Sequence, residues 1–460
     1  MKDLLVIGGG PGGYVAAIRA RQLGMDVTLI EKEALGGTCL NWGCIPTKAY
    51  YRNAEMLRSL AQMNEFSITG ISGWQFELGG ARQRKDQIVQ NLVAGVGDLL
   101  KANGVELIRG EASIEAAGKV QVRGQLLEGK RILIASGSEG STLPIPGTDL
   151  PDVISSTELL DLSEVPARLT IIGGGVIGME FASIFHAFGS EVTVLEAAGN
   201  ILGKLDAEMV KRMNIYVKKQ GIQVHTGVMV QEILQTEAGL QIHGEGKKGQ
   251  MVWEADVVLL AAGRRPCTSW LNLDKLGIKT EKSFIKVDNS FSTSVPGIYA
   301  IGDVIAGPML AHLASEEGRV AVERMAGMDS QVAYHAVPSC IFTFPEIASV
   351  GLSEEEALAQ GIHCQVGKFQ LAANGKAMTM GERDGIIKVL ADEQERIIGC
   401  HIIGPHASDL ILEATLMVKE GMHIKQVLGA IHPHPTLGEA LQEAVMDIHK
   451  EAIHLLPARR

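Results

Sequence analysis

Two stretches of this chain repeat one pattern, and that repeat constrains the fold more than any other feature. Residues 3–31 read DLLVIGGGPGGYVAAIRARQLGMDVTLIE, and residues 169–196 read LTIIGGGVIGMEFASIFHAFGSEVTVLE. Gly8 and Gly173 hold corresponding positions, 165 residues apart. Each stretch is a short apolar run, a glycine-rich turn, a helical pattern and a second apolar run ending in Glu. Runs of Val, Ile and Leu without polar alternation suit parallel strands buried on both faces, and the stretch between them suits a crossover helix. The expected fold class is therefore α/β, with two doubly wound domains.

At 460 residues the chain has room for about three domains of about 150 residues each. Residues 47–110 read as mostly helical, whereas KVQVRG and KRILIASG, from Lys119 and Lys130, read as strands that complete the first domain. The segment from Pro144 to Pro151 reads as a linker. VVLLAAGRRP places a strand end at Gly263, and GIYAIGDV places another at Gly302 and Asp303. From Ala336 the texture shifts to alternating strands such as GIIKVLAD and RIIGCHIIG, with helices after His406. The expected division is a first domain over 1–148 completed by 267–335, a second over 149–266, and an α+β domain over 336–460.

The glycine spacing says what the repeats bind. In a Rossmann-like loop the first glycine permits the tight turn, the second admits a pyrophosphate against the backbone, and the third lets helix and strand pack closely. Gly8, Gly10 and Gly13 fill these places in the first copy, and Gly173, Gly175 and Gly178 fill them in the second. The phosphates then sit at a helix N-terminus, where free N–H groups and partial positive charge favour anions. Glu31 and Glu196 each stand 23 residues beyond the first glycine of their loop, placed to accept from a ribose. A lone loop of this kind also occurs for packing alone; two copies imply two bound dinucleotides. AAGNILGK after Glu196 offers only Lys204 to a 2′-phosphate, which the Glu196 carboxylate repels. The second dinucleotide is accordingly expected to be NAD rather than NADP.

Bulk properties exclude other classes. A net charge of −11 argues against a nucleic-acid partner, which would demand clustered Lys and Arg. Hydrophobic residues make up 46% and charged ones 21%, yet no apolar run approaches the ~20 residues of a membrane helix. The first strand begins by about Asp3, which leads us to expect no targeting segment and a cytoplasmic protein. Six cysteines are too few for a disulfide scaffold, and Cys267, Cys340, Cys364 and Cys400 lie far apart, as core or incidental residues do.

The remaining two are close together. GGTCLNWGCIPTK holds Cys39 and Cys44 in a C-x4-C spacing that matches neither a zinc ribbon nor a C-x-x-C redox motif. Five residues of regular helix rotate the side chains by about 500° and raise them about 7.5 Å. Disulfide Cα atoms normally lie within about 6.8 Å, so a bond between these two needs a distorted segment. Gly43 supplies backbone freedom there, and Pro46 removes a helix N–H. On spacing alone the pair is either two buried free thiols or a strained, easily reduced disulfide. The adjacent dinucleotide loop favours redox chemistry, with a flavin coupling hydride transfer to thiol–disulfide exchange.

At this point the residues resemble the pyridine nucleotide-disulfide oxidoreductases over essentially the whole chain. GGGPGGYVAAIRA, GGTCLNWGCIPTK, GGGVIGMEFAS, IYAIGDV, FPEIASVGLSEEEA, IIGCHIIGPHASDLI and HPHPTLGEA occur in the family's order, and the last two are similar to its lipoamide branch. The resemblance implies FAD on the first loop, with Asp303 on its ribityl chain. It implies Lys48 near the flavin edge, paired with Glu180; read alone, both are solvated helix residues, and Asp303 is a helix N-cap. It implies that Cys39 exchanges with a dithiol and that Cys44 faces the flavin as the charge-transfer thiolate.

HPHPTLGE contains His432, His434 and Glu439. A free thiol is mostly protonated at neutral pH, so a dithiol substrate gains from a base. The resemblance makes His434 that base and Glu439 its orienting partner, acting across a homodimer interface on the other subunit's cysteines. Two plainer readings stand beside it. Thr436 and Glu439 form a T-x-x-E capping box, or His432, His434 and Glu439 share a metal, for which further ligands are lacking. The expected cofactors are FAD and NAD, with no metal. Pro433 departs from the small residue usual in the family and restricts His432.

The implied activity is oxidation of dihydrolipoamide borne by a lipoyl protein of a 2-oxo-acid dehydrogenase or glycine-cleavage complex. The alternatives are an NADH-dependent reductase of another disulfide and a mainly structural flavoprotein subunit.

Overall fold

The computed structural model describes residues 1–71, 73–247 and 249–456; residues 457–460, at the end of the expected C-terminal domain, lie outside them. Among the described residues no helix is long and apolar enough to cross a membrane. The chain divides into two compact units. One comprises 1–144, 154–165 and 262–332, and the other comprises 145–153, 166–261 and 333–460.

The first unit is built on a parallel sheet. β1 (Leu4–Ile7) is flanked by β2 (Val27–Glu31), then β3 (Glu106–Arg109) on one side, and by Ile132–Ile134, then Ile298–Ala300 on the other. β1 and β2 are buried at every position, which is why these runs show no polar alternation. Helix α1 (Pro11–Gln22) turns Ala16, Ala17 and Ala20 into the core. Helices α2 (Gly37–Asn41) and α3 (Cys44–Ala61) follow β2, and a longer helix spans Leu78–Ala102. One expectation changes here. β3 lies within 47–110, read as mostly helical, and forms the sheet edge, where only its two middle residues are partly buried. Such a short edge strand carries little apolar signal. Lys119–Val122 joins a separate antiparallel sheet with Ala112–Ala116 and Gln125–Glu128.

The second unit repeats the arrangement. Arg168–Ile172 is flanked by Glu191–Glu196, then Gln223–Thr226 on one side, and by Val257–Leu260 on the other. The same unit contains an antiparallel five-stranded sheet, in the order Ser339–Ile341, Glu346–Gly351, Ile397–Gly404, Ile386–Ala391 and Gln365–Gln370. The helices Ala407–Lys419 and Glu439–Met446 pack Ile411, Ala414, Leu441 and Val445 into its core. The alternation read for GIIKVLAD is not what the strand shows: Ile386–Ala391 is buried throughout. Lys388 tolerates this because its ammonium lies 2.7 Å from both Asp206 and Glu354. The α/β class with two doubly wound sheets and a C-terminal α+β portion is the architecture observed.

Candidate active site

Both glycine loops have the same local geometry. Gly8 adopts φ +107° and Gly173 φ +116°. A Cβ on Gly13 would stand 1.8 Å from the Gly8 carbonyl oxygen, and one on Gly178 2.0 Å from that of Gly173. Strand and helix are therefore in backbone contact at each loop, where any side chain would force them apart. Gly10 and Gly175 cap their helices without a side-chain hydrogen bond; a Cβ on Gly175 would meet nothing within 4 Å, and one on Gly10 would meet only Gly37 Cα, at 3.8 Å. N–H groups at the helix start thus point into room suited to a phosphate.

The terminal carboxylates are tied into the loops. Glu31 accepts from the Gly9 N–H at 2.6 Å and the Glu33 N–H at 2.7 Å. Glu196 accepts from the Gly174 and Ala198 N–H groups, each at 2.6 Å. Each oxygen keeps lone-pair capacity for a ribose hydroxyl. The donor sets, the side-chain-free glycine caps and the carboxylate positions fit one dinucleotide per loop. Gly263, a cofactor-binding candidate at the strand end read from VVLLAAGRRP, adopts φ +101° and its carbonyl accepts from the Ser141 N–H.

The cysteines lie where the helix breaks. Cys39 is on α2, Trp42 and Gly43 interrupt the helix, and Cys44 opens α3. A Cβ on Gly43 would come within 3.1 Å of the Thr38 carbonyl oxygen, so the break closes tightly on the turn that carries Cys39. Gly37 has φ +53°, and a Cβ there would meet Gly10 Cα at 2.8 Å. The paired glycines before Thr38 thus seat the cysteine helix directly on the first loop. This was legible in the sequence but unused.

A hydrogen bond joins the side chains of the two cysteines. That bond pushes the Cys39 thiol far above its ordinary value; burial adds to the shift, and Lys48, one turn beyond Cys44 on α3, acts against it. Cys39 therefore keeps its proton against the sulfur of Cys44. Of the other four, Cys267 and Cys400 are buried. Burial pushes Cys267 to about 11 and raises Cys400 as well, which makes both inert.

Asp303 sits in the turn Gly302–Val304 and accepts from the Ser138 hydroxyl at 2.5 Å. Arg264 donates to the Ser138 hydroxyl at 2.8 Å and carbonyl at 2.6 Å, and reaches the Thr38 hydroxyl at 3.4 Å. A continuous polar chain thus runs from Asp303 to the residue beside Cys39. Ser138 and Arg264 were missed, although Arg264 directly follows Gly263.

Glu180 and the histidines belong to the second unit. Glu180 is buried on the helix Val176–Phe188 and accepts from the Phe342 N–H at 3.0 Å. His434 Nδ1 lies 2.9 Å from Glu439 Oε1, and the other oxygen of Glu439 accepts from the Thr436 N–H at 2.8 Å. Burial raises Glu439, but these two bonds outweigh it and leave its carboxyl below the ordinary range. The capping-box expectation fails in part: the helix starts at Glu439 with Gly438 as its cap, and the Thr436 hydroxyl donates to the Pro433 carbonyl at 2.8 Å. His432 takes a separate carboxylate, Glu413, at 2.9 Å, so the two histidines do not converge on shared ligands.

The pyridine nucleotide-disulphide oxidoreductase family matches residues 2–318, and its dimerisation domain matches 337–445. The chain is 42% identical to mitochondrial dihydrolipoyl dehydrogenase 1 of Arabidopsis thaliana, over 98% of this chain and 91% of that protein. It is 42% identical to the dihydrolipoyl dehydrogenase of Thermus scotoductus, over 99% of both. Among solved structures it is similar to the HOCl-induced flavoprotein disulfide reductase of Escherichia coli, with a TM-score of 0.86 and 29% identity over 96% of this chain and 99% of that one. With paired glycine loops, a cysteine pair seated on the first of them and the dimerisation domain following, the chain belongs to the class I pyridine nucleotide-disulphide oxidoreductases, in the lipoamide dehydrogenase branch.

Proposed function

We infer that this chain is an FAD-dependent, NAD-linked dihydrolipoyl dehydrogenase that acts as a homodimer on a lipoyl group carried by another protein. The observation that carries the reading is the Cys39–Cys44 hydrogen bond in a helix break packed on the first glycine loop. In the oxidised enzyme the two sulfurs are bonded. A dihydrolipoyl thiolate attacks Cys39 Sγ, the Cys39–Cys44 bond breaks, and Cys44 leaves as thiolate. The second lipoyl thiol passes its proton to His434 of the partner subunit and attacks the lipoyl sulfur of the mixed disulfide. This closes lipoamide and frees Cys39.

When bound, FAD supplies the two-electron carrier between the dithiol and NAD. Lys48 would lie near its reactive edge, Asp303 would hold its ribityl chain, and Glu31 and Glu196 would hold the two riboses, with Glu180 a further catalytic candidate. Glu439 orients His434 through Nδ1, which leaves Nε2 for the substrate proton. The lipoyl protein belongs to a 2-oxo-acid dehydrogenase or glycine-cleavage complex, and the enzyme is cytoplasmic, which cell fractionation checks.

The test is anaerobic titration of the holoenzyme with dihydrolipoamide. A long-wavelength absorption band on two-electron reduction, absent in Cys44→Ser, supports the reading. A Cys44→Ser enzyme with the parent's full rate would sink it. Turnover of lipoamide against other disulfides under NADH separates this reading from that of a general disulfide reductase.

A further inference from the structure

The loop bearing His434 holds a second imidazole–carboxylate pair that the reaction above leaves unused. His432 Nε2 lies 2.9 Å from Oε1 of Glu413, on the helix Ala407–Lys419. The two pairs match in length but differ in setting. The His434 side chain is 77% exposed and that of His432 only 6%. His432 Nδ1 is buried and, among the described residues, has no hydrogen-bond partner.

An imidazole that gives its Nε2–H to a carboxylate can relay a proton only through Nδ1. Among the described residues Nδ1 has no protein partner, so the Glu413 bond is what fixes the ring.

The rest of the loop has few other ties. Ile431 is 97% exposed, and Pro433, His434 and Pro435 are exposed as well. The Thr436 hydroxyl bonds the Pro433 carbonyl, and Asn374 donates to the Thr436 carbonyl at 3.0 Å. Pro433 has a fixed φ and restricts the residue before it, so an orientation set at His432 passes to His434 through one stiff residue.

We propose that Glu413 and His432 are positioning residues that clamp the base loop to the helix Ala407–Lys419 and so fix the backbone from which His434 projects. The proposal rests on His434 being the base. A misplacement of about 1 Å costs a reaction up to about 10²-fold, so loosening this clamp should be felt in turnover.

The test compares Glu413→Ala, Glu413→Gln and His434→Gln holoenzymes in two assays. One is dihydrolipoamide oxidation by NAD. The other is NADH oxidation by ferricyanide, an artificial acceptor that needs neither cysteines nor base. Glu413→Ala should lose about tenfold or more in the first assay, mainly in kcat, and keep its rate in the second. Glu413→Gln, whose amide oxygen still accepts the Nε2–H, should recover most of the loss. The proposal is overturned if Glu413→Ala matches the parent while His434→Gln is impaired, if Glu413→Gln falls as far as Glu413→Ala, or if both assays fall together. An unimpaired His434→Gln instead removes the reading on which it rests.

Discussion

His401 is a test of what burial does to a single titrating group. It is 2% exposed, with Nδ1 3.1 Å from the Ser349 hydroxyl and Nε2 3.0 Å from the Leu352 carbonyl. Burial holds it below the ordinary histidine value, outweighing the pull of Asp206. A histidine with a depressed folded value contributes stability above its unfolded value of about 6.5 and loses it as pH falls. Unfolding midpoints at about pH 7.5 and about pH 5.5 should therefore differ more in the parent than in His401→Gln. An equal loss in both proteins contradicts this account. At the same scale, Gly13→Ala and Gly178→Ala should each destabilise by about 1–3 kcal/mol or more, because the new Cβ meets a carbonyl oxygen within 2.0 Å. Denaturant unfolding measures the cost, and flavin content should fall in Gly13→Ala.

Between elements, the buried cation of Ile386–Ala391 has the largest energetic consequence. Lys388 is 2% exposed and Asp206 not at all; Asp206 also caps the helix Ala207–Gln220 by accepting from the Glu208 N–H at 3.1 Å. Burial disfavours both charges, yet their pairing prevails: Asp206 ends below and Lys388 above its ordinary value. The pair's stabilisation is lost as pH falls through the folded value of Asp206, and again as pH rises through that of Lys388. Its full contribution spans about pH 3.9 to about pH 10.4. Removing one partner leaves an uncompensated buried charge, so Lys388→Met should cost about 3–5 kcal/mol in denaturant unfolding. A cost under about 1 kcal/mol would mean that the charge is solvated in practice.

For the whole molecule, the proposed site takes its cysteines from one subunit and its base from the other. Cys44→Ser and His434→Gln homodimers should each be inactive with dihydrolipoamide. Subunit exchange between them should yield hybrids with one intact site and about half of the parent's activity per dimer. If exchanged mixtures stay inactive while the hybrid dimer is demonstrably present, base and cysteines belong to the same chain.

The cysteine pair, the glycine loops and their terminal carboxylates were legible in the sequence because each depends on short spacing. Gly8, Gly10 and Gly13 with Glu31 lie within one strand–turn–helix–strand unit, and its repeat at Gly173 identified a second binding loop. Backbone sterics dictate such units locally. His434 and Glu439 were equally visible as a pair, whereas His432 was visible without its partner. Glu413 comes from another helix, Ser138 reaches Asp303 and is itself held by Arg264 from a distant strand, and Asp206 makes a buried Lys388 tolerable from far along the chain. Such contacts depend on which strands the topology sets side by side, a long-range packing choice that local periodicity does not encode. The sequence by itself determined which chemistry the chain carries; tertiary structure alone decided which groups hold that chemistry in place, because burial and pairing exist only once distant segments pack.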